Sequence, residues 1–500
     1  MRMFITASKL YDFIQCPHKV WRDAYGPQEE KIDDKNPFVE LLWEKGVLHE
    51  REIISKIGSF VDLSSGTLEE RIDKTLREVK KGAPLIYQGV LNYKDLLGIP
   101  DLLRRMPNGN YLPIDIKSGK GFEGLDDSEE EEIMPKKHYA VQLSLYVEIL
   151  LSLSLASEKK GAVIDISGRE LLYSLESAQG VRNTQTWWEL YLNIKNCVSE
   201  LLANKVQDKP AIAGTCKLCP WYNSCKKWCL ENEDLTKIFY LGRNNREILN
   251  KDLGIEKVRE LKGINIPDLL AKKKKDKTFL KGFGETLLKK FVTRAIILEE
   301  TKKPILHQEV KFPEVKKELF FDIEDDPTQD FVYLHGIYVR DIKSEEYIYF
   351  LAEENTRDSE KKAWKDFWDY INTLPGGDFT IYYYSHHEKT TYKRLAARYP
   401  DVVTKEQLDV FFDNPNSIDL YRVVEKCTDW PLSSYSLKDL AIYLGFKWRD
   451  ESPSGALSIR WYNDFLKDHS GELLKRILEY NEDDCKATMV LKDGILKLNN

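Results

Sequence analysis

The sequence predicts a multidomain α/β protein: two strand-and-helix units joined by a small, basic, helical connector. Three observations carry that expectation. Cysteines at Cys216, Cys219 and Cys225 follow a C-x2-C-x5-C spacing, and Cys16 stands near the other end of the same half of the chain. Three thiolates want a fourth ligand, so a shared soft-metal centre would close residues 1–235 into one domain. Residues 237–303 carry 18 Lys and Arg against 9 Asp and Glu, a local charge of +9 in a chain of net charge −7. Strand-like segments bearing carboxylates lie on both sides of that basic stretch. The expected domains are 1–235, 236–305 and 306–500, within the two to four that 500 residues allow.

Composition excludes several classes. A hydrophobic share of 42% with 31% charged residues suits a chain with real cores. No apolar run approaches the roughly 18 residues of a membrane span, so no membrane partner is expected. The start, Met1 to Leu10, lacks the apolar core of a signal peptide, which points to a cytoplasmic protein. Eight cysteines, four of them between 216 and 229, suit a metal site in a reducing compartment better than a disulfide framework. A basic middle between acidic flanks suits a polyanion held in the middle; a solvated helical surface would show the same charges.

In the first segment, Thr6–Cys16 reads as a short helix with Thr6 or Ser8 as N-cap. A second helix is expected over 38–57 and carries His49. Residues 85–92 read as a strand, and Asp101 opens another. In Tyr111-Leu-Pro-Ile-Asp115-Ile-Lys117, Asp115 and Lys117 are two apart and so share a face. Gln142 and Tyr146 share a helical face at i, i+4. Two carboxylates can hold a hard divalent ion that keeps water in its shell, with a lysine to orient that water. The acidic run 126–132 reads as a solvated loop. Cys197 reads as a helix-core cysteine.

The order His49, Asp101, Asp115-x-Lys117, Gln142-x-x-x-Tyr146, bracketed by Cys16 and the Cys216 triplet, resembles the RecB-like PD-(D/E)XK nucleases. The iron–sulfur members are closest in pattern, including the CRISPR-associated exonuclease and AddB types. The resemblance covers residues 1–230. It implies a restriction-endonuclease-like α/β core that cuts DNA with Mg²⁺ or Mn²⁺. His49, Asp101 and Asp115 would be metal ligands, Lys117 catalytic, and Gln142 and Tyr146 supports of the site or the DNA. It also implies a [4Fe–4S] cluster on Cys16, Cys216, Cys219 and Cys225, a clasp between the ends of the domain. Four thiolates equally suit Zn²⁺, which stays the alternative.

In the middle, Gly282-Phe-Gly284 precedes an amphipathic segment and resembles a helix-hairpin-helix. Such a hairpin offers backbone N–H groups and a helix N-terminus to a phosphate. Lys281, Gly282, Gly284, Lys289 and Lys290 are the candidate nucleic-acid contacts, against the alternative of a helical spacer. Lys272–Lys275 reads as an exposed flexible run.

The last segment opens on the strand Lys317-Glu-Leu-Phe-Phe-Asp322-Ile-Glu324, with Asp322 and Glu324 on one face. Strands are expected at 331–339, 347–351 and 379–385 in a mixed sheet. A closing helix pairs Tyr480 with Asp484 at i, i+4. Strand Asp-x-Glu with helical Tyr-x-x-x-Asp resembles the DEDDy exonucleases on an RNase H-like fold, and specifically the YprB type. That resemblance implies two divalent ions on four carboxylates, with Tyr480 orienting water. Where the pattern carries a third acidic residue as Asp, this sequence has Glu388. The extra methylene moves the carboxylate by about an ångström, so either the site is rebuilt around Glu or catalysis is weak. Asp419 is expected to be structural.

Together these resemblances imply a DNA nuclease of repair, recombination or CRISPR-linked processing, acting on single strands or free ends. The C-terminal domain would add 3′–5′ trimming. Two alternatives stay open. In one, the last domain is a degenerate nucleic-acid docking platform. In the other, it is the active site, on RNA, with the iron–sulfur domain as a clamp.

Overall fold

A computed structural model describes residues 3–32, 37–123, 134–180, 183–375 and 378–499. The acidic run 126–132 lies outside the described residues. The chain divides into one unit of residues 1–210 with 215–224 and another of 211–214 with 225–500. Among the described residues, no helix is long and apolar enough to cross a membrane.

The first unit is built on a mixed six-stranded sheet. Its strand order is Val61–Asp62, Leu85–Tyr87, Leu102–Arg105, Tyr111–Ile116, Lys160–Ile164, Glu170–Ser174. Tyr111–Ile116 is buried along its whole length and pairs parallel with Lys160–Ile164. A parallel pair needs a long crossover, and the helix Lys137–Ser152 supplies it. That helix buries residues on nearly every side, from Ala140 to Leu150, as a core helix does. Thr6 caps the helix Ala7–Gln15 by accepting from the Lys9 amide at 3.3 Å, and Leu10 is its buried residue. One expectation fails here. Cys197 is exposed, because the buried stripe of the helix Trp187–Leu202 runs through Tyr191, Ile194, Val198 and Leu201 and misses it.

In the second unit, the helices Gly242–Leu253, Val258–Leu261, Ile266–Lys275 and Glu285–Ile296 share an apolar cluster that includes Leu249, Leu261, Phe283 and Phe291. Lys272–Lys275 is the last turn of one of these helices and not a flexible run. Four lysines at a helix C-terminus face the carbonyl end of its dipole. Lys273 Nζ also donates to the Leu280 and Phe283 carbonyls at 2.6 and 2.5 Å.

The same unit holds a mixed five-stranded sheet. Its order is Glu345–Leu351, Phe331–Asp341, Lys317–Asp326, Phe379–Tyr383, Ser417–Asp419. Lys317–Asp326 is central, antiparallel to Phe331–Asp341 and parallel to Phe379–Tyr383. Side chains alternate along it. Phe321 joins a cluster with Trp364, Phe367 and Tyr392, while Phe320 joins one with Tyr382, Cys485 and Leu491. Asp322 and Glu324 therefore share the face of Phe320, the face covered by the C-terminal helix Gly471–Lys497.

Candidate active sites

That strand and that helix assemble one carboxylate cluster. The helix presents Tyr480, Asn481 and Asp484 toward Asp322 and Glu324, and one ligand oxygen each from Asp322, Glu324 and Asp484 lies within 4.8 Å of the others. Glu324 is 5% and Asp484 8% exposed. Asn481 fixes the pair on the strand: its Nδ2 donates to Asp322 Oδ2 at 3.0 Å and to Glu324 Oε1 at 3.4 Å. Its own Oδ1 accepts from Tyr347 Oη at 2.8 Å. Gly336 is the register partner of Asp322, and a Cβ there would overlap the Asn481 carboxamide. Trp448 Nε1 donates to Asp484 Oδ1 at 2.7 Å.

Burial, then the charge of Asp484 and of Glu324, pushes the Asp322 carboxyl far above the usual carboxylate range. Glu324 is raised by burial and then by Asp484, and Asp484 chiefly by burial. Crowded hard oxygens that resist losing their protons together fit a Mg²⁺- or Mn²⁺-class ion, whose charge would offset theirs.

Residues 319–496 match a family model of the RNase H superfamily.

The C-terminal region is thus an RNase H-like domain, a fold of metal-dependent nuclease type. No curated protein matches the chain. Glu388 lies in the first turn of the domain's helix His387–Arg398, 4% exposed, outside the group of three carboxylates. Its Oε2 is buried with no hydrogen-bond partner, and its charge bears on Asp322. Burial, then Asp419 and Asp325, pushes its carboxyl up to about 8, against His387. His386 forms the N-cap of the Glu388 helix, and His387 Nε2 pairs with Asp325 at 3.1 Å. Asp419 caps the helix Leu420–Cys427, accepting from the Tyr421 amide at 2.9 Å, and also takes the Ser385 amide at 3.1 Å. Asn481, Trp448 and Gly336 are site residues of the RNase H-like domain that sequence reasoning missed.

A second polar cluster lies in the first unit. Asp115 is 2% exposed, and its Oδ2 pairs with Lys117 Nζ at 3.0 Å. Lys117 Nζ also donates to Gln142 Oε1 at 3.0 Å, and Gln142 Nε2 donates to Tyr146 Oη at 2.9 Å. Asp101 Oδ2 accepts from the Ile116 amide at 2.7 Å, and its own amide reaches Asp115 Oδ1 at 3.4 Å. Asp101, Asp115, Lys117, Gln142 and Tyr146 are thereby joined in one network. Burial and then Asp115 raise the Asp101 carboxyl well above its ordinary range. Burial alone would lower the Lys117 ammonium, but Asp115 and Asp101 outweigh it and hold the group above its ordinary value.

His49 is not joined to that network. Its Nε2 lies 3.2 Å from the Asp165 carbonyl oxygen. The neighbouring Glu50 is the residue connected: Gln88 Nε2 donates to Glu50 Oε1 at 2.9 Å and to Asp101 Oδ1 at 3.1 Å. Gln88 has a positive φ of 54°, which no feature of the sequence signals.

Among the cysteines, Cys219 is tied to Cys216 by an amide-to-carbonyl bond of 2.9 Å. Burial raises the Cys219 thiol, and Cys16 lies close enough to raise it further. The ends of the first unit meet beside them. Trp221 is buried, donates to Asp23 Oδ1 at 2.9 Å and stacks under Arg22 at 4.3 Å, and the Ile32 amide donates to the Pro220 carbonyl at 3.0 Å. Cys225 follows one residue past the end of that unit, in the helix Tyr222–Glu231. Cys229, Cys427 and Cys485 are buried.

In the connector, Gly284 is the N-cap of the helix Glu285–Ile296, and Gly282 has φ +88°, a left-handed turn that favours glycine. Lys281, Gly282, Gly284 and Lys289 are exposed, and Lys289 pairs with Glu285 at 2.6 Å. Lys290 is half-buried, with its Nζ 3.4 Å from the Glu425 carbonyl, and burial lowers its pKa.

Proposed function

We propose that the protein is a metal-dependent nuclease whose RNase H-like domain trims a free nucleic-acid end, 3′ to 5′, on single-stranded DNA. The observation that carries this reading is the convergence of Asp322, Glu324 and Asp484 within a matched RNase H-like fold. Asp322, Glu324 and Asp484 would hold Mg²⁺ or Mn²⁺, with Glu388 as the outlying fourth carboxylate. When bound, such an ion supplies Lewis-acid chemistry at a phosphodiester. The chain does the rest. Asn481 and Trp448 hold the carboxylates in place, and Tyr480, one helical turn before Asp484, orients water toward phosphorus.

The network Asp101–Asp115–Lys117–Gln142–Tyr146 supports a second phosphodiester-cutting site, to which Glu50 is linked through Gln88. The exposed Lys281 and Lys289 beside Gly282 and Gly284 would hold the sugar–phosphate backbone. Cys16, Cys216, Cys219 and Cys225 would carry a [4Fe–4S] cluster that stabilises the first unit. The processing would serve DNA repair, recombination or CRISPR-linked metabolism.

Labelled single- and double-stranded DNA and RNA, incubated with Mg²⁺ or Mn²⁺, test the reading. Lys117→Ala should leave end trimming intact. Asp322→Ala should reduce it by on the order of 10³-fold. The double variant should be silent on every substrate. Unchanged cleavage of all substrates by Asp322→Ala would defeat the assignment. Separately, anaerobically purified protein should be brown, and Cys219→Ala should lose that absorption and destabilise residues 1–230 while the RNase H-like domain stays folded. A colourless protein holding one zinc would exclude the cluster and keep the clasp.

A further inference from the structure

Lys438 reaches the C-terminal site although nothing in its sequence surroundings marks it. It lies in the helix Leu437–Tyr443, which Ser436 caps by accepting from the Asp439 amide at 3.2 Å. Its Nζ is 2.7 Å from the Pro453 carbonyl and 3.0 Å from Tyr480 Oη. The ammonium also sits 4.8 Å from the centre of the Tyr480 ring and 5.9 Å from that of Trp448. Tyr480 is 4% exposed, and the Asp484 carboxylate lies close enough to bear on its hydroxyl.

The bonding capacity of these groups fixes directions. An ammonium only donates, so Tyr480 Oη accepts from Lys438. The Tyr480 proton must then turn away from Lys438, toward the side of Asp484, a carboxylate that only accepts. With the proton turned that way, one acceptor position is left on the phenol oxygen. Without Lys438 the hydroxyl could rotate and donate elsewhere.

We infer that Lys438 is a positioning residue that fixes the Tyr480 hydroxyl as a hydrogen-bond acceptor for the attacking water. This rests on the nuclease reading of the RNase H-like domain. In the step served, the water oxygen forms a bond to phosphorus and the P–O3′ bond breaks. One water proton leaves to solvent, the leaving 3′-oxygen takes up a proton, and the products are a nucleoside 5′-monophosphate and a shortened strand. Tyr480 holds the water by its hydrogen bond and is not consumed.

The test uses the full chain carrying Lys117→Ala, with a 5′-labelled single-stranded oligonucleotide and Mn²⁺. Lys438→Met keeps the aliphatic stem and removes the charge. It should lower kcat on the order of 10²-fold with KM within about twofold. Tyr480→Phe should lose a similar factor, and the double variant should be no worse than Tyr480→Phe alone, because both remove one interaction. Lys438→Arg, which keeps a donor, should recover most of the rate. Thermal unfolding checks folding, and Lys438→Leu replaces the Met variant if that variant unfolds. Losses that multiply in the double variant overturn the inference. So does an unchanged kcat in Lys438→Met when Asp322→Ala is silent. Cleavage untouched by Asp322→Ala removes the nuclease reading, and this inference with it.

Discussion

Asp322→Asn is expected to make the metal-free protein more stable while ending cleavage at the C-terminal site. Asp322 is pushed above its ordinary range by burial, by Asp484 and Glu324, and by Glu388. Its pKa in the folded state exceeds that in the unfolded chain. Between the two values the folded state binds more protons, so its stability falls as pH rises from about 4 upward. Glu324 and Glu388 are shifted in the same direction, Glu388 to about 8. Metal-free protein should therefore lose stability steadily between about pH 5 and pH 8. Asn at 322 keeps an acceptor for Asn481 Nδ2, removes one charge from the cluster and flattens that slope. A gain in stability is expected for the unfolding of the C-terminal domain, larger at pH 8 than at pH 5. Mn²⁺ should stabilise the parent protein more at pH 8 than at pH 6, and the variant little at either. Denaturant midpoints across pH, with and without Mn²⁺, measure all of this.

Gly336→Ala should be the most damaging single methyl group in the domain. Gly336 faces Asp322 across the antiparallel ladder, and a Cβ there would overlap Asn481 Oδ1 and lie 2.9 Å from Tyr347 Oη. The neighbour that must yield is a fully buried side chain that itself holds Asp322 and Glu324. Overpacking together with unsatisfied buried polar groups costs roughly 3 kcal/mol. The strand's conformation is not the obstacle, because the other strand residues here adopt it with side chains. Gly336→Ala in an Asn481→Ala background should recover much of the lost stability, since the colliding carboxamide is gone. Cleavage should stay low in both, because the carboxylates lose their common donor.

Much of the C-terminal site could be read from local periodicity. Strand alternation places Asp322 and Glu324 together, and helical spacing places Tyr480 over Asp484. The cap at Thr6 and the helix carrying Gln142 and Tyr146 were legible for the same reason. What escaped depends on tertiary approach. Asn481 is one step from Tyr480, but only the docked strand makes it a clamp. Gly336 acquires its meaning from a register partner 14 positions away in sequence, and Lys438 from a helix that the chain reaches 42 positions later. Glu50, next to His49, joins the first unit's network through Gln88, whose left-handed backbone has no signature in its residue type. Cys197 shows the limit of helical spacing itself: one residue off a stripe turns a core position into an exposed one.

The central claim is that Asp322, Glu324 and Asp484 bind a divalent ion for phosphodiester hydrolysis. Anomalous diffraction from crystals of the full chain grown with Mn²⁺ tests it most directly. An anomalous peak within coordination distance of all three carboxylates, lost in Asp322→Asn crystals grown alike, is the predicted result. Ordered carboxylates with no peak among them at saturating Mn²⁺ would contradict it.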